Sequence, residues 1–226
     1  MTERPEQIEF FFDPMCPWAY QTSLWIREVR DLTGVSIVWR FFSLEEINRR
    51  EGKKHPWERE WSYGWSQMRV GALLRRRSQA DLDTWYEAVG RAFHEHGIRT
   101  QDPVVHRGIL DDIGVGGAVL DEAIADPTTS DEVRADHREV TATHGAFGVP
   151  VIVLPDGEAV YGPVTVPPPT GDDAVRLWDL TLEFARFPGV FELKRPKTVD
   201  DLRMIARVFE PYLRARDWQT IENPAP

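Results

Sequence analysis

Cysteine is almost missing from this chain. Cys16 is the single one among 226 residues, so no disulfide can close within it. That usage fits a compartment where thiols stay reduced, and a cytoplasmic location is the expectation. Long apolar runs are missing too: nothing reaches the roughly 20 residues of a membrane helix. Residues 1–7 are polar and lead straight into an apolar strand, with no stretch of signal-peptide length. Positive charge is in deficit, with 27 lysines and arginines against 37 acidic residues and a net charge of -10. That balance argues against nucleic acid and anionic membrane surfaces as partners. There is no glycine loop built to cradle phosphate and no internal repeat. The histidines show no metal-ligand spacing, since His94 and His96 are two apart and share no helix face. They read as surface residues, and no metal is expected.

What is present is a foldable chain with one conspicuous stretch. Hydrophobic residues make up 42%, which excludes overall disorder. The length suits one large domain, or one domain carrying an insertion. From Phe10 to Tyr20 an apolar run ends at Asp13-Pro14 and a helix can start at Pro17, with Cys16 at the joint. Proline suits a first helical position because its missing N–H would find no partner there. Cys16 is thereby placed at the N-cap, where N–H groups of Trp18 and Ala19 can point at the sulfur. Those donors and the positive helix end favour a thiolate. The dipole contributes only about 0.3–1 kcal/mol, so the hydrogen bonds must supply most of any large shift. A buried, inert cysteine is the alternative, but the strand, Asp-Pro, Cys-Pro and helix in succession favour a nucleophile titrating below a free cysteine. Asp13 works against this if its carboxylate points inward.

The rest of the chain reads in order. Residues 7–12 and 35–42 form strands around a helix that Gly34 ends, a right-handed parallel unit. A short helix spans 44–51. Residues 57 to about 147 carry helical patterns only, and the 75–77 arginine run reads as a solvated face. A helix over 130–144 precedes Val149-Pro150, a 151–154 strand, a turn and a returning 158–161 strand. Asp172 or Asp173 can cap the next helix, which ends near Phe187. A last amphipathic helix over 200–216 has Leu202, Ile205, Ala206, Phe209 and Leu213 on one side, and residues 219–226 read as a frayed tail.

This order resembles an α/β thioredoxin fold with an inserted all-helical domain, as in the DsbA-like oxidoreductases. Residues 1–55 and 147–226 would form the thioredoxin-fold domain, and 56–146 the helical insertion. More narrowly, Phe-Asp-Pro-Met-Cys-Pro-Trp at 12–18 is similar to the active-site segment of mycothiol-dependent nitroreductases. Ser43-Leu44 with Asn48, Tyr161-Gly-Pro163 with Leu177-Trp-Asp179, and Phe187-Pro188 with Phe191-Glu-Leu-Lys-Arg195 extend the likeness to about Thr198. The resemblance implies that Cys16 is the catalytic nucleophile. It also implies that Pro150, after Val149, has a cis peptide bond beside the sulfur. Pro17, Trp18, Asn48 and Trp57 would line the thiol-binding mouth. Ala19 departs from the dithiol members, standing where they have a second cysteine.

The expected function is a monothiol oxidoreductase or thiol transferase. Its co-substrate would be a low-molecular-weight thiol, mycothiol if the host makes it, with no tightly bound cofactor. A thiol-dependent isomerase or nitroreductase of flat aromatic substrates, like the kappa-class glutathione transferases, is the second reading. A redox-sensing or peptide-binding protein without catalysis is the third.

Overall fold

A computed structural model describes residues 3–216. At its centre lies β1 (Gln7–Phe12), flanked by parallel β2 (Ser36–Phe41) and antiparallel β3 (Val151–Val153). With β4 (Ala159–Tyr161) beyond β3, the sheet order is β2-β1-β3-β4. The run Phe10-Phe11-Phe12 suits the middle of a sheet covered on both faces, where polar alternation has no use, and all three rings are buried. α1 (Pro17–Thr33) carries the chain from β1 to β2. Gly34 ends it at φ 80, in the left-handed region, with its N–H on the Arg30 carbonyl at 2.8 Å.

Between β2 and β3 the chain is helical. α2 (Leu44–Ile47) and a 3-10 turn at Pro56–Glu58 precede α3 (Trp65–Arg77) and α4 (Gln79–Gly90). α4 runs into a π turn at Arg91–Glu95, followed by α5 (Pro103–Asp112), α6 (Ala118–Ala125) and α7 (Pro127–His144). α8 (Gly171–Arg186), α9 (Val199–Val208) and α10 (Glu210–Ala215) follow the β3–β4 hairpin. This is a thioredoxin fold of the DsbA-like kind, with helices entering between its two halves. One apolar core runs from the sheet into those helices: the Phe12 ring stacks on Tyr86 of α4 at 3.8 Å. On α1, Trp25 meets Trp178 of α8 edge-on and donates to the Ala174 carbonyl at 3.0 Å.

The outer edge of β2 would be a row of unpaired backbone groups. Side chains from the helices fill it. Trp39 N–H donates to Gln79 Oε1 (3.0 Å), Phe41 N–H to Asp136 Oδ2 (3.0 Å) and Ser43 N–H to His137 Nδ1 (3.2 Å). Asp136 is buried and also holds Arg40 and Arg75. Arg75 is thus a strut between α3 and α7 rather than part of a solvated face, whereas Arg76 pairs on the surface with Asp126 and Glu132.

Gly90 marks the tightest approach of any glycine among the described residues. A Cβ there would lie 2.4 Å from two carbons of the Tyr20 ring. Gly90→Ala gains roughly 1 kcal/mol of helix propensity, but overpacking typically costs about 1–3 kcal/mol. The ring is buried and has nowhere to go. The expected outcome is a lower urea midpoint at unchanged slope, with net destabilisation of up to about 2 kcal/mol.

Several expectations are corrected. α2 stops at Ile47, because the Asn48 side chain donates back to the Leu44 carbonyl (2.9 Å) and Asn48 takes the C-cap. α7 begins at Pro127, capped by the Asp126 carboxylate on Thr128 N–H at 2.9 Å. Thr170 holds the N-cap position of α8, with Asp172 and Asp173 in its first turn. The final helix is two pieces joined at Phe209, since Pro211 has no N–H with which to continue the first. Residues 219–226 lie outside the described residues. His94, His106 and His137 are buried, not on the surface.

Candidate active site

β1 delivers the chain into a turn that Asp13 organises. Its Oδ1 accepts the Met15 N–H at 2.9 Å, and its Oδ2 accepts the Leu44 N–H at 2.8 Å. The Cys16 N–H closes the turn on the Asp13 carbonyl at 2.9 Å. Asp13 therefore ties the cysteine loop to the start of α2. It is buried, and burial pushes its carboxyl up to about 7 against the two N–H bonds.

Cys16 sits at the N-cap of α1, with Pro17 at the first helical position. Its Sγ accepts the Ala19 N–H at 3.4 Å, and its thiol faces the Val149 carbonyl at 3.6 Å. The Val149–Pro150 peptide bond is cis, and both residues are buried. Cys16, Pro17, Trp18, Ala19, Val149 and Pro150 thus come together around one sulfur.

The sulfur is not poised as a thiolate in this form. Cys16 is 5% exposed. Burial pushes its thiol up to about 12. The Ala19 and Trp18 N–H groups lower it, and the Asp13 charge raises it further. The helix start does what its sequence promises, but desolvation is the larger effect. The geometry is that of a neutral thiol donating to the Val149 carbonyl.

Asn48 and Trp57 make their hydrogen-bond and ring contacts with residues other than the cysteine loop. Asn48 is exposed and bonds within its own turn. The Trp57 ring stacks on His55 at 4.3 Å, meets Trp65 at 5.2 Å and lies under the Arg134 guanidinium. Among the described residues, these ring and hydrogen-bond partners all lie outside the 13–19 loop.

Other residues pack against the cysteine loop and the segments beside it. His94 Nε2 meets the Pro14 carbonyl at 2.9 Å, and its ring stacks on Tyr20 at 4.8 Å. Burial lowers its pKa to about 4, so a neutral ring donates from Nε2. Gln67 Nε2 reaches Met15 Sδ at 3.0 Å and the Tyr63 carbonyl at 2.9 Å. Glu45 orders the 62–65 backbone, accepting the Gly64 and Trp65 N–H groups at 2.9 Å each. Tyr161 of β4 stacks on Phe147 at 4.7 Å, and after burial the Cys16 charge is what raises its hydroxyl pKa. Phe209 and Tyr212 arrive from the C-terminal helices, with the Phe209 ring edge-on to Trp18 at 4.7 Å. Of these only Tyr161 had a local signal, the Tyr-Gly-Pro turn.

Comparison with known proteins gives the fold and the family. A Mycobacterium tuberculosis protein, the uncharacterized Rv2286c, is 55% identical over 216 residues, covering 96% of this chain and 93% of its own. A probable DsbA oxidoreductase from Streptomyces coelicolor superposes with a TM-score of 0.56 at 20% identity, covering 84% of this chain and 93% of that one. The disulfide reductase DsbM from Pseudomonas aeruginosa, solved with GSH, gives 0.54 at 14% identity, over 78% and 99% of the two chains. At such identities the solved structures speak to the fold. The family model for Rv2466c-like proteins, described as mycothiol-dependent nitroreductase Rv2466c, matches residues 15–195, from the cysteine loop into the segment after α8. This chain is an oxidoreductase of the DsbA-like fold and belongs to the Rv2466c-like, mycothiol-dependent nitroreductase family.

Proposed function

We propose that the protein is a single-thiol oxidoreductase in which Cys16 forms a mixed disulfide with a low-molecular-weight thiol. The observation that carries this is the sole cysteine at the start of α1, opposite cis-Pro150, with Ala19 where a resolving cysteine would stand. The Cys16 thiolate attacks one sulfur of a small disulfide; a Cys16–S bond forms and the other half leaves as thiolate. A second external thiolate then attacks the adduct and returns Cys16. Mycothiol is the co-substrate the family points to, and a reducing, cytoplasmic setting suits an unpaired thiol. Pro17 and Trp18 flank the sulfur, and the Val149 N–H and C=O offer a short edge to a bound thiol, in the manner of strand addition.

A second reading rests on the rings around the site: Trp18, Phe209, Tyr212, Tyr161 and Phe147. A flat nitroaromatic fits such surroundings. Two thiols oxidised to one disulfide supply two electrons and two protons, taking a nitro group to nitroso and releasing one oxygen as water.

The test is intact mass after exposure to oxidised mycothiol, oxidised glutathione or another small disulfide. Wild type should gain one thiol unit on Cys16, and Cys16→Ser none. A wild-type protein that stays unmodified in every disulfide, while mild denaturation makes Cys16 reactive, would overturn the reading.

A further inference from the structure

Beyond α8 the chain leaves the body and returns. Residues 187–198 hold no helix or strand, and 186–200 are all exposed, Phe191 and Leu193 included. α9 and α10 then fold back over the cysteine loop. Phe209, Tyr212 and Ala215 are buried in one cluster with Met15, Tyr63 and Phe93, and Trp18 packs against it. The residues on either side of the Cys16-Pro17 pair, Met15 and Trp18, are thus both covered from the C-terminal side. Tyr212 also stacks on His94 at 5.5 Å, and Lys197 Nζ stands 6.0 Å above the Trp18 ring. This return falls wholly beyond the family match, which ends at residue 195.

The hold of this segment is partial. α9 has no fully buried residue, and Val199, Leu202 and Leu213 remain exposed. The α10 end is fixed more firmly: Gln101 Nε2 donates to the Ala215 carbonyl at 3.2 Å, and a Cβ on Gly97 would lie 3.0 Å from the Pro211 carbonyl oxygen. A partly buried element at the end of an exposed linker has the makings of a local opening unit, cheaper to detach than the core is to unfold.

We propose that α9 and α10 form a hinged strap that gates Cys16, swinging on the 187–198 linker, with Phe209 as the residue that decides the size of reagent reaching the sulfur. Closed, Phe209 fills the place beside Trp18 where a substrate ring would lie. Open, the strap uncovers Met15, Trp18 and the thiol together. Burial is the largest cause of the raised Cys16 pKa, so opening also removes the main barrier to ionisation and leaves the Ala19 and Trp18 N–H groups in control. The gate needs only a chemically reactive Cys16, whichever thiol resolves it.

Alkylation of the full chain tests this, with iodoacetamide as the small reagent and a fluorescent maleimide as the bulky one, each followed by intact mass. In wild type at pH 8 both should label Cys16 far more slowly than a free cysteine. The rate should be independent of urea at low concentrations, as local opening requires. Phe209→Ala should label about tenfold faster or more, a loss of ~1.4 kcal/mol in closing, with the larger gain for the maleimide. Wild-type labelling at the free-thiol rate would overturn the gate. So would a wild-type rate that climbs steeply with urea from the first addition, since that marks global unfolding and needs no variant. Equal rates in wild type and a folded Phe209→Ala would remove Phe209 from the role. Tight closure with no small-disulfide adduct would leave the gate standing and count against the single-thiol mechanism alone.

Discussion

Placing a cysteine at Ala19 should convert the release of a Cys16 mixed disulfide from a reaction with external thiol into a unimolecular one. Ala19 is buried in the first turn of α1, and its N–H is already 3.4 Å from Cys16 Sγ. Side chains three apart on a helix are neighbours, with Cβ atoms ~5–6 Å apart, and the N-cap residue has extended dihedrals, φ -85 and ψ 112, that can let it turn toward its partner. A disulfide needs its Cβ atoms at about 3.5–4.5 Å, so a small rotation of Cys16 suffices. Well-oriented intramolecular groups reach effective concentrations of about 10⁵ M and above, and even a tiny fraction of that exceeds any external thiol. In wild type the adduct lifetime should shorten in proportion to added thiol. In Ala19→Cys it should be short without any, and the variant should gain disulfide-oxidising activity. The added sulfur sits in a packed place, so about 1–3 kcal/mol of stability goes with it, which a urea melt reads separately. Mass spectrometry of preformed adducts in thiol-free buffer decides the matter. Equal decay in both proteins, with the same thiol dependence, would show that the residue at 19 has no part in resolution.

Much of this site was legible because its signals are local. Asp-Pro ends a strand, Pro17 starts a helix, and the residue between has few places to be except the N-cap. The same holds for the Phe10–Phe12 run, whose lack of alternation marks a strand covered on both faces. What the sequence could not show was the state of the sulfur. N-cap donors and the helix dipole are readable from neighbours, whereas Cys16 is buried among residues distant in sequence, Val149 among them, and its neighbours Met15 and Trp18 pack against a strap nearly two hundred residues later. The strap was legible in part: Ile205 and Phe209 do face the buried cluster, joined by Val208, Tyr212 and Ala215, whereas Leu202, Ala206 and Leu213 of the expected stripe are exposed. The histidines fail for a similar reason. His106 accepts from the Trp85 indole N–H at 3.1 Å and its Nδ1 faces the Thr100 carbonyl at 3.0 Å, partners far from any readable spacing. Trp57 and Asn48 came from resemblance alone, and the Arg134 and Leu44 partners that hold them are specific to this packing.

Asp13→Asn should separate the two tasks of that carboxylate through pH. In the folded chain burial raises the Asp13 pKa to about 7 from 3.8, and the Glu45 charge pushes the same way against the Leu44 and Met15 N–H bonds. A carboxyl raised on folding contributes stability that is complete below its unfolded pKa and is lost as pH climbs through the folded one. The window is therefore about pH 4 to 7. The gap is worth roughly 4 kcal/mol at ~1.36 kcal/mol per pH unit. Asparagine removes that dependence, but its amide nitrogen must face the Met15 or Leu44 N–H, a pH-independent cost of about 1–3 kcal/mol. The variant should be clearly less stable than wild type near pH 5, and equal or more stable near pH 8. The thiol gives an independent reading. The Asp13 charge raises the Cys16 pKa, but only where Asp13 is ionised. The ratio of variant to wild-type alkylation rates should therefore stay near one below pH 6 and rise severalfold above pH 7, as removal of a nearby like charge requires. Tyr86 and Tyr212 also lie within reach of these charges, and burial raises both hydroxyls above their ordinary range, so neither changes charge between pH 6 and 8. Parallel stability curves from pH 4 to 8, together with a flat rate ratio, would mean that Asp13 is ionised throughout and serves the loop only as a fixed acceptor.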